Sequence, residues 1–342
     1  MSDPDLVPGT RLPEDHPRVF GHDTPRAAVL DALAAGRLPG AILLHGPQGI
    51  GKASLVFDLA AAILTATGDE PEHRVREQIA AGSHPNLDVL RRRPRDSKNF
   101  YTVIRVDDIR GMVDGLRMTR GRAGHRIAVI DPIDDCNPSA ANALLKMLEE
   151  PPPDATIFLV SHNPGRLLPT ILSRCHRLAL RPLPDDDVAA ALTAQRADVE
   201  PDALRLAVAR AGGRPRRGFE ALDADADGLL ATLEAWLAAP LAAPVTVQLD
   251  LAAGLAAAAR TPALGFAREL IERFMLEEAR AAAAIPGARR RLASACELWE
   301  KAGGQFAQTE AINLDMRQTL ASVFDAIRLH VQLHHQQQPT SA

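Results

Sequence analysis

Residues 41–52 read Ala-Ile-Leu-Leu-His-Gly-Pro-Gln-Gly-Ile-Gly-Lys. The opening apolar run, closed by Gly46, reads as a short buried strand, and the segment 54–66 continues as a helix. Between them Gly46 to Lys52 matches G-x-x-x-x-G-K, and strand, glycine loop and helix in that order is the setting that gives the pattern weight. Gly46, Gly49 and Gly51 let successive backbone N–H groups converge on phosphate oxygens, while the helix N-terminus and Lys52 supply positive potential. Such a unit opens a parallel α/β sheet. In nucleotide-hydrolysing P-loop proteins the next residue is Ser or Thr, whose hydroxyl helps hold magnesium. Here it is Ala53, followed by Ser54. A helix turns about 100° per residue, so Ser54 is no simple substitute. A glycine turn that merely packs strand on helix would look the same. Occupancy by ATP or ADP stays open, with magnesium expected only alongside a nucleotide.

Outward from this loop, residues 26–38 have helical periodicity and stop at Pro39-Gly40. Residues 83–94 read as a strand and turn, with the charged stretch from Arg91 to Tyr101 as an exposed hairpin or loop. Residues 106–118 form an amphipathic helix, 126–131 a second buried strand, 139–152 a helix stopped by prolines, and 156–161 a third strand. Residues 177–183 close the region. Past Pro184 the segments are Ala-rich and helical, cut into pieces by Pro240, Pro244, Pro262 and Pro286. The expected organisation is an α/β domain over 1–182, a small helical domain over 183–225, an all-α domain over 226–335 and a disordered tail over 336–342.

At 342 residues, 46% apolar and 24% charged, the chain has the profile of a globular protein of two or three domains. No run of 18 residues is uninterruptedly apolar, and the polar N-terminus lacks the basic-then-apolar order of a signal peptide, so a cytoplasmic protein without membrane contact is expected. Cys136, Cys175 and Cys296 lie far apart, without metal-ligand spacing, and read as buried reduced thiols. The net charge of −4 argues against a protein that coats nucleic acid unaided. Of 39 basic residues only Lys52, Lys98, Lys146 and Lys301 are lysines, a compositional habit with no functional meaning.

The second strand ends in Asp131, where a P-loop ATPase holds its magnesium shell. The following Pro132 can neither accept a proton nor orient water. Asp134 and Asp135, one turn on, are candidates for that work, although capping the next helix is their plainer use. These residues define a nucleotide loop without a hydrolytic base.

Downstream, residues 137–152 read Asn-Pro-Ser-Ala-Ala-Asn-Ala-Leu-Leu-Lys-Met-Leu-Glu-Glu-Pro-Pro, and residues 168–175 read Leu-Pro-Thr-Ile-Leu-Ser-Arg-Cys. The first resembles the N-A-L-L-K-x-L-E-E-P-P run of the bacterial clamp-loader AAA+ family, and the second its S-R-C motif. The resemblance is strong over 17–182 and extends weakly through Gly212-Gly213-Arg214-Pro215 and Asn313-Leu314-Asp315. It implies an AAA+ P-loop domain, a helical lid and a helical collar. Within the family, the intact S-R-C argues against delta, and Ala53 with Pro132 argues against the gamma/tau motor, leaving the delta-prime type.

That resemblance implies that Arg174 is an arginine finger, delivered in trans to ATP on an adjacent gamma/tau subunit. It puts Asn163 at a sensor position, with capping of the following turn as the alternative. Arg216 falls near the second sensor, with an exposed structural arginine as the alternative. The nucleotide-site residues are then Gly46, Gly49, Gly51, Lys52, Ala53, Ser54, Asp131, Asn163 and Arg216. Implied partners are gamma/tau and delta subunits in a hetero-pentamer, the sliding clamp, and primer-template DNA held through its phosphates. Arg91-Arg92-Arg93 could serve that last contact or be a solvated loop. Many relatives carry a four-cysteine zinc module after the P-loop helix; no Cys lies between Lys52 and Cys136, so zinc is not expected and the 67–105 insertion must hold by packing alone. No ATPase activity of its own is expected. A gamma/tau-type motor and a pure scaffold remain the alternatives.

Overall fold

The structure, a computed structural model, describes residues 6–16, 18–96, 100–117, 123–225, 227–257, 262–285, 288–312 and 314–335. Lys98, Pro286, Asn313 and the tail 336–342 lie outside the described residues. The chain divides into two compact units, Met1–Phe219 and Glu220–Ala342. The helices expected for the small middle domain fall mostly within the first.

In the first unit five parallel strands, β1 (Ala41–His45), β2 (Leu87–Leu90), β3 (Arg126–Ile130), β4 (Ala155–Ser161) and β5 (His176–Ala179), stand in the order β2-β3-β4-β1-β5. The near-continuous apolar runs of β1, β3 and β4 fit strands covered on both faces. Alternate side chains go to opposite layers. Ile42, Leu44, Ile127, Val129, Phe158 and Val160 pack under α1 (Asp23–Ala34), α2 (Lys52–Thr67) and α3 (Glu72–Ala80). Ala41, Leu43, Ala128, Ile130, Ile157 and Leu159 pack under α4 (Val106–Arg117) and α5 (Pro138–Glu149). The expected parallel sheet flanked by helices is the fold. Sequence reading missed α3, whose polar stretch offers the core only Val75 and Ile79. Those two anchors hold α3 to the core, while β2 ties the rest of the 67–105 segment into the sheet.

A short α6 (Pro169–Leu172) precedes Arg174, and α7 (Asp185–Gln195), α8 (Pro201–Ala211) and α9 (Pro215–Ala224) follow the sheet. The second unit packs α10 (Leu229–Ala238), α11 (Val245–Ala257), α12 (Pro262–Ala284), α13 (Arg289–Ile312) and α14 (Met316–His335) around Trp236, Phe266, Phe306 and Phe324. Among the described residues it contains no strand. Buried Ala252, Ala267, Ala295 and Ala302 allow close helix contact there.

Three sequence expectations need correction. Cys175 is buried and Cys136 half-buried, with burial pushing their thiols up to about 11 and about 12, but Cys296 is exposed. Arg91 is neither in a solvated loop nor free to reach DNA: its side chain is only 5% exposed. Its neighbours Arg92 and Arg93 pair with Asp135 at 2.8 Å and Asp108 at 2.7 Å. Nor do Asp134 and Asp135 cap α5. Asn137 does, its Oδ1 accepting from the Ala140 N–H at 2.8 Å. Replacing Asn137 with Ala removes one of the helix's terminal acceptors and should cost about 1 kcal/mol, read as a lower urea midpoint by circular dichroism with an unchanged native spectrum.

Candidate functional site

The strand register gathers the site at one edge of the sheet. His45 lies opposite Ser161 and Ile130 opposite Leu159, so the phosphate loop, Asp131 and the 162–163 turn all leave the carboxyl ends of neighbouring strands. In open α/β sheets that edge is where ligands bind. Gly46, Gly49 and Gly51 have φ of +152°, +83° and +92°, conformations that side-chain-bearing residues rarely adopt. A Cβ on Gly49 would stand 2.7 Å from the Cβ of Arg216, so this glycine is also required by close packing.

Lys52 is buried and folds back on its own loop, its ammonium donating to the Gly46 and Pro47 carbonyls at 2.7 Å each. Burial lowers its pKa from 10.5 to about 8, against the opposing pull of Asp131 and Asp134. Ala53 and Ser54 line the same cavity at the start of α2.

Asp131 is engaged by a buried cation. Its Oδ2 accepts from Arg91 Nε at 3.1 Å, and Arg91 Nη1 donates to both carboxylate oxygens of Glu14 at 3.1 and 3.2 Å. The Glu14 side chain is fully buried and that of Asp131 is 10% exposed. The register explains the meeting: Leu90 pairs with Ile130, so the next residue of each strand, Arg91 and Asp131, emerges side by side.

Asp134 takes a role the sequence did not suggest. Its carboxylate accepts from Ser161 Oγ at 3.2 Å and from the backbone N–H groups of His162 and Asn163 at 2.9 Å each. It pins the turn after β4. Asn163 makes no side-chain cap, contrary to the alternative weighed for it; its backbone is what Asp134 holds. Arg216 begins α9 half-buried, not exposed, with its N–H 3.2 Å from the Gly49 carbonyl.

Sequence reasoning missed the remaining wall. Leu6, Val7, Thr10 and His16 line the cavity from the N-terminal segment, opposite Phe20, Leu183 and Phe219. That segment is tied down by Arg11 N–H to Gln195 Oε1 at 2.8 Å and by Arg196 to the Pro8 carbonyl at 3.3 Å. Its polar, proline-rich composition carried no signal for this. The result is a cleft with a phosphate cradle at one end and apolar side chains at the other.

Arg174 stands apart from this cleft. It follows α6, donates to the Thr170 carbonyl at 2.9 Å and pairs with Glu149 at 2.5 Å, with about a third of its side chain exposed. The structure therefore unites Gly49, Gly51, Lys52, Ala53, Ser54, Asp131 and Arg216 at one cavity, places Gly46 behind them as an acceptor of the Lys52 ammonium, sets Asn163 at the adjoining turn, and leaves Arg174 on separate surface.

The parallel sheet, with β4 inserted between the phosphate-loop strand and the acidic strand, and the helices α7 to α9 behind it, define a P-loop domain of the AAA+ class. Residues 25–184 match the family model described as DNA polymerase III, delta subunit, and overlapping stretches are similar to delta-prime and gamma/tau subunits of that polymerase. The chain is 40% identical over 180 residues to subunit delta' of Pseudomonas aeruginosa, covering 51% of this chain and 53% of that one. It is 31% identical over 179 residues to subunit delta' of Bacillus subtilis, covering 52% of each. A gamma/tau subunit of Mycobacterium bovis is 31% identical over 219 residues, 62% of this chain and 37% of that one. The aligned part spans about half the length of the curated delta' relatives. Among the described residues no helix is long and apolar enough to cross a membrane.

Two substitutions test the site's internal bonding. Arg91→Met leaves two buried carboxylates uncompensated and should cost about 3–5 kcal/mol, measured by chemical denaturation. Asp134→Ala frees two backbone N–H groups at the end of β4. It should cost about 2 kcal/mol and raise amide exchange at His162 and Asn163.

Proposed function

We propose that this chain works as a delta-prime-type subunit of a DNA polymerase III clamp loader, hydrolysing no ATP itself and lending Arg174 to ATP held by a neighbouring gamma/tau-type subunit. The observation that carries this reading is one contrast. Ala53 follows the phosphate loop and Pro132 follows the acidic strand where magnesium and the attacking water would need a hydroxyl and a base, while the S-R-C arginine stands at the surface. The similarity to delta' chains supports the subunit type.

In this reading the chain sits in a hetero-pentamer with gamma/tau and delta subunits, and the assembly loads the sliding clamp onto primer-template DNA gripped by its phosphates. The helices of 226–335 form its share of a collar. Arg174 leaves Glu149 when a neighbour's γ-phosphate arrives. Its planar fork stabilises the charge developing there, a contribution of about 10³–10⁵ in rate for arginine fingers generally. The chain's own cleft takes a nucleotide, with phosphates against Gly46–Lys52 and the base among Phe20, Leu183 and Phe219. The similarity to gamma/tau chains favours one second reading, that of a motor subunit. ATP hydrolysis by the isolated chain, abolished by Lys52→Ala, would establish that motor instead.

The test is DNA-stimulated ATPase and clamp loading by a complex reconstituted with gamma/tau, delta and this chain. Arg174→Ala should leave assembly and melting temperature unchanged, since a surface truncation costs within about 0.5 kcal/mol. ATPase should fall in part and clamp loading more steeply. Arg174→Lys should behave like Ala, because a point charge cannot make the two-pronged contact. Wild-type rates in a mutant complex that assembles would reduce the chain to a scaffold.

Nucleotide affinity should also depend on pH in a definite direction. Only the protonated Lys52 attracts phosphate, and its pKa in the folded chain is about 8. Affinity for ADP should be flat below that value and fall as pH rises through it, by at most about tenfold per unit. Equilibrium titration between neutral and alkaline pH checks this.

A further inference from the structure

We infer that Glu149 is a gate on Arg174: its carboxylate holds the guanidinium that a neighbour's γ-phosphate needs, so that hydrolysis at the neighbouring site requires its release. The inference rests on the trans role proposed for Arg174 and names its regulation. The two residues come from different helices. Pro151 and Pro152 end α5 just after Glu149 and Glu150, and Arg174 follows the short α6. Leu148 on one side and Ile171 and Cys175 on the other are buried in the same apolar layer. Their neighbours in sequence, Glu149 and Arg174, therefore emerge together at the surface of that layer. Arg174 Nη2 meets Glu149 Oε1 at 2.5 Å.

Both arms of the guanidinium fork are held by the chain itself. Nη1 donates to the Thr170 carbonyl at 2.9 Å and reaches Ser173 Oγ at 3.4 Å, while Nη2 is taken by Glu149. A phosphate bound by the two-pronged contact needs both arms. A phosphate oxygen cannot share Nη2 with a carboxylate without bringing like charges together. Glu149 has its own claim on the cation. It closes the last turn of α5 beside Glu150, where the negative end of the helix dipole disfavours an acid. The hold is nonetheless weak enough to release, because 32% of the arginine side chain and 48% of the glutamate side chain are exposed. A pair of that exposure is worth a factor of at most about five in population. A gate of this strength holds back a loosely apposed neighbour and yields to one that closes on it.

The test is DNA-stimulated ATPase of the complex reconstituted with gamma/tau, delta and this chain, the last as wild type, Glu149→Gln, Arg174→Ala or both substitutions together. The rate that depends on the arginine is the difference between each chain and its Arg174→Ala counterpart. Glu149→Gln should raise that difference about two- to fivefold. The double substitution should match Arg174→Ala, since Glu149 acts only through the arginine. A residue that merely supports the end of α5 would give no gain, and its effect would persist without Arg174. An Arg174-dependent rate that Glu149→Gln leaves unchanged or lowers overturns the gate and leaves the trans role of Arg174 standing. A Glu149→Gln chain that fails to assemble marks a structural residue and also overturns the gate. If Arg174→Ala runs at the wild-type rate in an assembled complex, the trans role falls and the gate falls with it.

Discussion

Arg91 joins three segments that are far apart in the chain: Glu14 in the N-terminal segment, the end of β2, and Asp131 at the end of β3. Taking a guanidinium and two carboxylates out of water is costly, and their attraction offsets that cost only where each group meets a well-placed partner. Here the planar fork serves both carboxylates at once. The N-terminal segment is thereby anchored from below by Glu14 and from beside by Gln195 and Arg196, and so forms one wall of the cleft. The same guanidinium holds Asp131 in place at the end of β3.

The same economy runs through the rest of the site. Lys52 satisfies two loop carbonyls, Asp134 satisfies the turn after β4, and the first N–H of α9 meets the Gly49 carbonyl. Each of these groups is bonded to the chain itself. Glu149, at the end of α5, holds Arg174 in a defined orientation at the surface.

Much of the fold was legible because the decisive segments are locally unambiguous. β1, β3 and β4 are uninterrupted apolar runs, and α2 follows a glycine loop that admits few conformations. Helix α3 escaped because only two large apolar residues, Val75 and Ile79, stand in a polar stretch and leave almost no periodic signal. The run of three arginines misled for a related reason: local composition says solvent, whereas burial of the first depends on a carboxylate 77 positions away. Asp134 misled because a carboxylate ahead of a helix looks like a cap, and Asn137 stands three residues later in the better place.

By itself the sequence determined the residues present: the glycine-rich loop at 46–52, alanine at 53 after its lysine, proline at 132 after Asp131, and the arginine of the S-R-C run. These are identities, and no packing alters them. Only the tertiary structure decided which groups face one another. Strand order and register are set by long-range pairing that no local window contains, and they bring Arg91 beside Asp131 and the 162–163 turn beside the phosphate loop. Read alone, Asp131 is a carboxylate at the end of a strand; the tertiary structure pairs it with a buried guanidinium.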